Sequence, residues 1–196
     1  MLPNVVFMGY KDTVLLDFIK NNSNNFLFVN VDEKITEEMI LNYDFLVSFG
    51  YKFILKNDIL KHFKNAAVNL HVSYLPYNRG AEPNFWSFVE NSPKGVSIHY
   101  MNEGLDKGDI IAQKELFFDE KKESFSTSYN TLKSSIEELF IQNWKNIISK
   151  QVKAKKQIGV GSYHKSSDSN ELKKLLPNGW DSNIAEFLEI LKNKNS

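Results

Sequence analysis

Short, continuous apolar runs alternate along this chain with segments whose apolar positions recur every three or four residues. The run NVVFMGY, residues 4–10, reads as a buried strand, and KDTVLLDFIKNN, residues 11–22, as a helix with Val14, Leu15, Phe18 and Ile19 on one stripe. FLFVNV, residues 26–31, is strand-like, ITEEMILNY, residues 35–43, helical, and DFLVSFGYKFIL, residues 44–55, a strand ending near Gly50. A short helix over NDILKHFKN precedes another strand at Val68–His71. Strands alternating with helices predict an α/β fold, a Rossmann-like and mostly parallel sheet flanked by helices, with ligands at the carboxyl ends of the strands.

Two further strand-like runs, GVSIHYM and DIIAQKELFF, bracket the loop Glu103–Asp109. Tyr129, Leu132, Ile136, Leu139, Phe140, Trp144 and Ile147 then form a stripe that predicts a long helix from Ser126 or Thr127 to Ser149. Its first reading is core, with a homodimer face second. Lys150, Lys153, Lys155 and Lys156 read as a solvated linker, and the last helix, IAEFLEILK, is expected to start from Asp181 or Ser182. The expected organisation is a catalytic domain over residues 1–150 and a short helical extension over 151–196 packed on the same domain.

Candidate chemistry concentrates between Val68 and Gln113. Asn69 and His71 are two apart on a strand, so both side chains leave one face. An amide and an imidazole there can hold an oxygen that is gaining negative charge. Asp106, in its Gly-bracketed loop, can be aimed at the pair, which completes the parts for acyl transfer with proton shuttling. Each has a plainer reading: a lone histidine in an apolar run is often structural, and Asn69 or Asp106 alone could finish a turn. His99 sits mid-strand, where core packing and substrate contact are both open. Ser73 and Asn102 have a turn role as their alternative.

Composition singles out one more residue. Of 24 basic residues only Arg79 is arginine. Its guanidinium, in the loop Pro76–Gly80, can grip carboxylate, phosphate or carbonyl oxygens of a ligand, or tie the loop to backbone carbonyls. The chain has 196 residues, no net charge, 42% hydrophobic residues and no cysteine. That suits one globular protein and fits a reducing cytoplasm, with no electrostatic footprint for nucleic acid. The amino terminus is too short for a secretory signal and no apolar run approaches a membrane span. Gly9 stands without the further glycines of a dinucleotide fingerprint, and His71 and His99 lack metal-ligand spacing, so no metal is expected.

Asn69-x-His71-x-Ser73-x-Leu75-Pro76, Arg79-Gly80 with Pro83 and Trp86, Gly95-x-x-x-His99, and Leu105-Asp106-x-Gly108-Asp109-Ile110-Ile111-x-Gln113 follow one another in one order. This set resembles the core of the folate-dependent formyltransferases, which include glycinamide ribonucleotide transformylase, methionyl-tRNA formyltransferase and the nucleotide-sugar N-formyltransferases. The resemblance implies transfer of a formyl group from 10-formyltetrahydrofolate to a primary amine, with Asn69 and His71 on the oxyanion and Asp106 helping to remove the amine proton. It implies that Phe49, Gly50, Tyr51 and Ile54, with Gly104 and Leu105, hold the folate. On the acceptor side it points to Ser73, Leu75, Tyr77, Arg79, Gly80 and His99. GVGSYHKSSD resembles a segment of the sugar-directed members, which adds Tyr163, His164 and Asp168, against a surface turn as the alternative.

For the acceptor, the resemblance favours an amino sugar on a nucleotide carrier, with Arg79, Lys107 or Tyr77 available to its phosphates. The tRNA branch is expected to carry a further basic domain, and the hydrolase branch an extra amino-terminal one. The purine-pathway enzyme differs in the loop at Pro76–Pro83 and in its first strand's phosphate-binding turn. The purine transformylase remains the alternative enzyme, and a silent folate- or nucleotide-binding module the alternative outside enzymes.

Overall fold

The computed structural model describes residues 2–194. In chain order the elements are β1 (Asn4–Gly9), α1 (Val14–Asn21), β2 (Asn25–Asn30), α2 (Glu37–Ile40), β3 (Phe45–Phe49), α3 (Asn57–Phe63), β4 (Ala67–His71), β5 (Arg79–Gly80), α4 (Pro83–Val89), β6 (Gly95–Tyr100), β7 (Ile110–Glu115), α5 (Phe125–Ile148), β8 (Tyr163–His164), α6 (Asn170–Lys173) and α7 (Ile184–Lys194). They belong to two compact units interleaved along the chain. The first comprises Met1–His71, Ser97–Gln113 and Ile136–Gln157; the second comprises Val72–Val96, Lys114–Ser135 and Ile158–Ser196.

A six-stranded sheet of order β2-β1-β3-β4-β6-β7 gives the α/β class expected from the strand–helix alternation. Strands β2, β1, β3 and β4 are parallel, and the inner ones, β1, β3 and β4, are near-continuous apolar runs buried on both faces, while edge strand β2 buries only Val29. The turn comes at β6, which runs antiparallel to β4 and sets Asn69 opposite His99 and His71 opposite Ser97. On one side of this sheet Val6, Met8, Val29, Leu46, Ile59 and Phe63 form a buried core.

Local signals explain where the helices begin. Thr13 caps α1 by accepting from the Leu15 amide, and its hydroxyl donates to Glu137 Oε1 at 2.6 Å. Leu15 and Ile19 of the expected stripe are buried, but Val14 is 60% exposed because it occupies the first helical position, off the inward face. The helix expected over residues 35–43 shrinks to Glu37–Ile40, where Thr36 makes no capping hydrogen bond. Ser124, earlier than the expected start, caps α5: its hydroxyl accepts from the Thr127 amide while Thr127 Oγ1 accepts from the Ser124 amide. Likewise Asn183 caps α7, accepting from Glu186 N at 3.1 Å, and Asp181 lies in a preceding turn of 3₁₀ helix.

Along α5 the stripe is core, with Leu132, Ile136, Phe140, Trp144 and Ile147 buried. Its Trp144 end meets Phe18 and Phe45 edge-on in the first unit. In the second unit Phe85, Phe88, Phe125, Ile184 and Phe187 pack into a mostly aromatic core. The segment after α5 is not a free linker. Lys155 exchanges both backbone hydrogen bonds with Ile110, at 2.7 and 2.8 Å.

Candidate active site

The antiparallel turn of the sheet assembles the polar cluster. Asn69 and His99 are cross-strand partners, and side chains of directly opposed residues share a face. His71, two residues on, shares it too. Asp106 comes from the loop between β6 and β7 and completes the group, with His71 7% exposed, His99 1% and Asp106 8%.

Within the cluster the bonds place one ring proton. His99 Nδ1 lies 2.8 Å from the Tyr100 carbonyl oxygen, which can only accept, so Nδ1 carries a hydrogen. In the neutral ring Nε2 is then an acceptor, served by Asn69 Nδ2 at 3.3 Å. The other Nδ2 hydrogen goes to Asp106 Oδ1 at 3.2 Å. This amide orientation is the one the chemistry demands, because turning the Asn69 oxygen inward would face it with a carboxylate and a bare ring nitrogen. His99 Nε2 stands 3.4 Å from Asp106 Oδ1, and His71 Nδ1 stands 3.8 Å from Asp106 Oδ2. The two imidazoles meet at 82° with centroids 6.3 Å apart. Such a group can steady an oxygen taking on charge and receive a proton at a carboxylate held among fixed donors.

The loop that carries Asp106 is itself held tightly. Asp106 adopts a left-handed φ of 51°, a conformation Asp tolerates better than most residues. Gln157 Nε2 donates to both the Asp106 and Gly108 carbonyl oxygens, at 2.7 and 2.9 Å. A Cβ on Gly108 would sit 1.7 Å from the Tyr100 oxygen, so only glycine lets this loop lie against β6. Gly104 N donates to Asn102 Oδ1 at 2.9 Å, which gives Asn102 its turn role.

The residues expected around the folate are also in the first unit. Phe49 is buried and meets Tyr10 edge-on at 5.3 Å, and Gly50, at φ 72°, leaves the space that the Tyr10 ring fills. The Tyr51 phenol accepts from Ile35 N and donates to the Glu33 carbonyl, and burial pushes its pKa up. Of these residues Ile54, 80% exposed, and Leu105, 41% exposed, present apolar surface to solvent.

The residues expected on the acceptor side lie in the second unit, apart from His99. The parallel pair β5 and β8 sets Arg79 beside Tyr163 and Gly80 beside His164. Two segments more than eighty residues apart are thus one strand pair, and Gly80 is required there, since a Cβ would fall 2.2 Å from the His164 oxygen. Arg79 Nη1 donates to the Val160 carbonyl at 3.4 Å. Ser73 Oγ donates to the Tyr77 carbonyl, Leu75 is 1% exposed, and Tyr77 and Tyr163 are open to solvent. Asp168 accepts from Lys165 N at 2.8 Å and closes a turn. Fully buried Asn78, which sequence alone does not single out, bonds Ser92 and Ser162 and locks this loop. Among the described residues no group of His, Asp and Glu is arranged to hold a metal ion.

Residues 22–143 match the formyl transferase family, well over half of the chain. The chain belongs to that family. It is 33% identical over 130 residues to methionyl-tRNA formyltransferase of Bacillus velezensis, covering 66% of this chain and 41% of that protein. It therefore spans about two fifths of the length of the curated relatives it matches. Among solved structures, the formyltransferase PseJ of Anoxybacillus kamchatkensis, in complex with UDP-4,6-dideoxy-4-formamido-L-AltNAc and tetrahydrofolate, superposes with a TM-score of 0.86 at 38% identity. That match covers 94% of this chain and 97% of PseJ. The N-formyltransferase of Helicobacter canadensis, with folinic acid and dTDP-3-aminofucose, shares the fold at a TM-score of 0.77 and 20% identity, covering 100% and 82%. For this formyl transferase chain, Gln157 is what motif reading leaves out, and His99, which the motif contains, is placed against Asn69 and Asp106 only by the fold. A linear pattern contains neither the antiparallel register nor the return of residue 157.

Proposed function

We propose that this chain transfers the formyl group of 10-formyltetrahydrofolate to the primary amine of an amino sugar carried on a nucleotide. The neutral amine nitrogen attacks the formyl carbon, a C–N bond forms, and the formyl oxygen takes the negative charge. His71 and Asn69 donate to that oxygen, Asn69 turning one of its two Nδ2 hydrogens from His99 toward it. Asp106, through His71 or a water, helps to remove the amine proton. Collapse breaks the bond to folate N10, which takes up a proton, leaving the formamide and tetrahydrofolate. His99, fixed by the Tyr100 carbonyl, positions Asn69 and Asp106. Phe49, Gly50, Tyr51, Ile54, Gly104 and Leu105 are assigned to the folate. Ser73, Leu75, Tyr77, Arg79, Gly80, Tyr163 and His164 are assigned to the acceptor, and the cytoplasm is the proposed setting.

The observation that carries the amino-sugar reading is the near end-to-end match, at 38% identity, to a formyltransferase whose structure holds a formylated UDP-sugar and tetrahydrofolate. A second reading, an aminoacyl-tRNA acceptor, draws on the 33% identity to methionyl-tRNA formyltransferase. The test is single-turnover release of tetrahydrofolate with uridine, thymidine and guanosine diphosphate amino sugars, glycinamide ribonucleotide, methionyl-tRNA, and no acceptor. Release with an amino sugar alone is the expected result. Release only with methionyl-tRNA or glycinamide ribonucleotide would overturn the amino-sugar reading.

A further inference from the structure

Gln157 lies outside residues 22–143, the segment that matches the family, and follows Lys155 and Lys156. Its side chain nonetheless reaches the loop that carries Asp106, and the backbone sets the route. Lys155 and Ile110 form an antiparallel bridge, exchanging both hydrogen bonds. Continuing that register by two residues brings Gln157 opposite Gly108. There one amide nitrogen takes two acceptors: Gln157 Nε2 donates to the Asp106 carbonyl oxygen at 2.7 Å and to that of Gly108 at 2.9 Å.

The other side of the loop is held by β6, where Tyr100 N donates to the Asp109 carbonyl at 3.0 Å and Gly108 packs against the Tyr100 oxygen. Between these two holds Asp106 keeps its left-handed φ of 51°, a conformation that persists only where the surroundings impose it. Pinning the Asp106 carbonyl fixes the peptide plane that follows its Cα, and with it the direction in which the side chain leaves. The carboxylate has little room for error. Its distances to Asn69 Nδ2, His99 Nε2 and His71 Nδ1 are 3.2, 3.4 and 3.8 Å, at or beyond the outer range of hydrogen bonding. A small rotation of the loop would lose all three.

We propose that Gln157 is a positioning residue for formyl transfer: by gripping the carbonyls on either side of Lys107 it keeps the Asp106 carboxylate in register with Asn69, His71 and His99. This rests on the role given above to Asp106. An amide suits the task. It supplies two hydrogens from one atom and, unlike the lysines before it, brings no charge that would lower the proton affinity of the carboxylate.

The test is single-turnover formation of tetrahydrofolate from prebound 10-formyltetrahydrofolate, with a saturating acceptor that the wild-type chain turns over. Gln157→Glu keeps the shape, but the ionised side chain can only accept and faces two carbonyl oxygens. Its rate is expected about tenfold below wild type at neutral pH, with the acceptor KM and the folate dissociation constant unchanged. The ratio to the wild-type rate should recover to within about threefold as the pH falls and the new carboxyl gains a hydrogen to donate. Taking that ratio at each pH removes the titration of His71, His99 and Asp106, which both chains share. Gln157→Met serves if the first variant does not fold. It should lose about fivefold in the otherwise wild-type chain but less than about twofold in an Asp106→Asn background, because a residue that acts through the carboxylate then has nothing left to position. Rates within about twofold of wild type for the Gln157 variants, or an equal loss in both backgrounds, would overturn the proposal. An Asp106→Asn rate equal to wild type would instead remove the role on which the proposal rests, and the proposal with it.

Discussion

Both units of this chain bury polar side chains, and they treat them in opposite ways. In the first unit Asn69, His99 and Asp106 satisfy one another, and Gln157 fastens the loop behind them. In the second unit Glu82, Trp86 and His164 are each held in place yet keep a buried atom without a hydrogen-bond partner. A closed network suits groups that must be aligned before reaction, since little beyond the Asn69 amide then has to reorganise as charge develops. On the reading proposed above, the first unit carries the chemistry and residues of the second contact the acceptor.

The contrast can be broken from either side. The largest effect should follow His71→Ala or Asn69→Ala, each lowering the single-turnover rate about a hundredfold or more while the dissociation constant for folate holds. Parallel loss of melting temperature and rate would make these residues structural. Next comes Gly108→Ala. With the new Cβ 1.7 Å from a backbone oxygen, the loop or β6 must shift, at a cost of about 2–4 kcal/mol read from denaturant unfolding. A change below about 0.5 kcal/mol would mean the loop is not pinned as described.

Gln157→Ala removes two hydrogen bonds to the same loop, so a loss of about 1–2 kcal/mol of stability and a several-fold lower rate are expected, with the acceptor KM unchanged. A rise in acceptor KM alone would move Gln157 to the recognition side. The smallest effect belongs to Arg79→Lys, about a few-fold in acceptor KM if its fork grips a substrate oxygen. A lower melting temperature with unaltered kinetics would leave Arg79 tying the loop to the Val160 carbonyl.

What could be read from sequence divides along physical lines. Buried parallel strands announce themselves as apolar runs, so β1, β3 and β4 lie within a residue or two of expectation. Asn69, His71 and Asp106 are close enough in sequence to form one recognisable pattern, and the structure brings them together. The His99 contribution depends on the antiparallel pairing of β4 with β6, which nothing local encodes. Two-residue strands such as β5 and β8 have no periodicity at all, so the pairing of Arg79–Gly80 with Tyr163–His164 appears only in three dimensions. Gln157 was hidden by its neighbours, because four lysines around it read as a solvated linker while the backbone there pairs with Ile110. Trp86 was visible as a motif residue, but its missing hydrogen bond is a property of packing.

The most direct test of the central claim is rapid-quench single-turnover formation of tetrahydrofolate by Asp106→Asn, with 10-formyltetrahydrofolate prebound and a saturating amino-sugar acceptor. A formation rate reduced about a hundredfold or more, with folate affinity and melting temperature as in the wild type, is the result expected of a carboxylate that helps to remove the amine proton. An unchanged rate would contradict it and place the proton acceptor elsewhere.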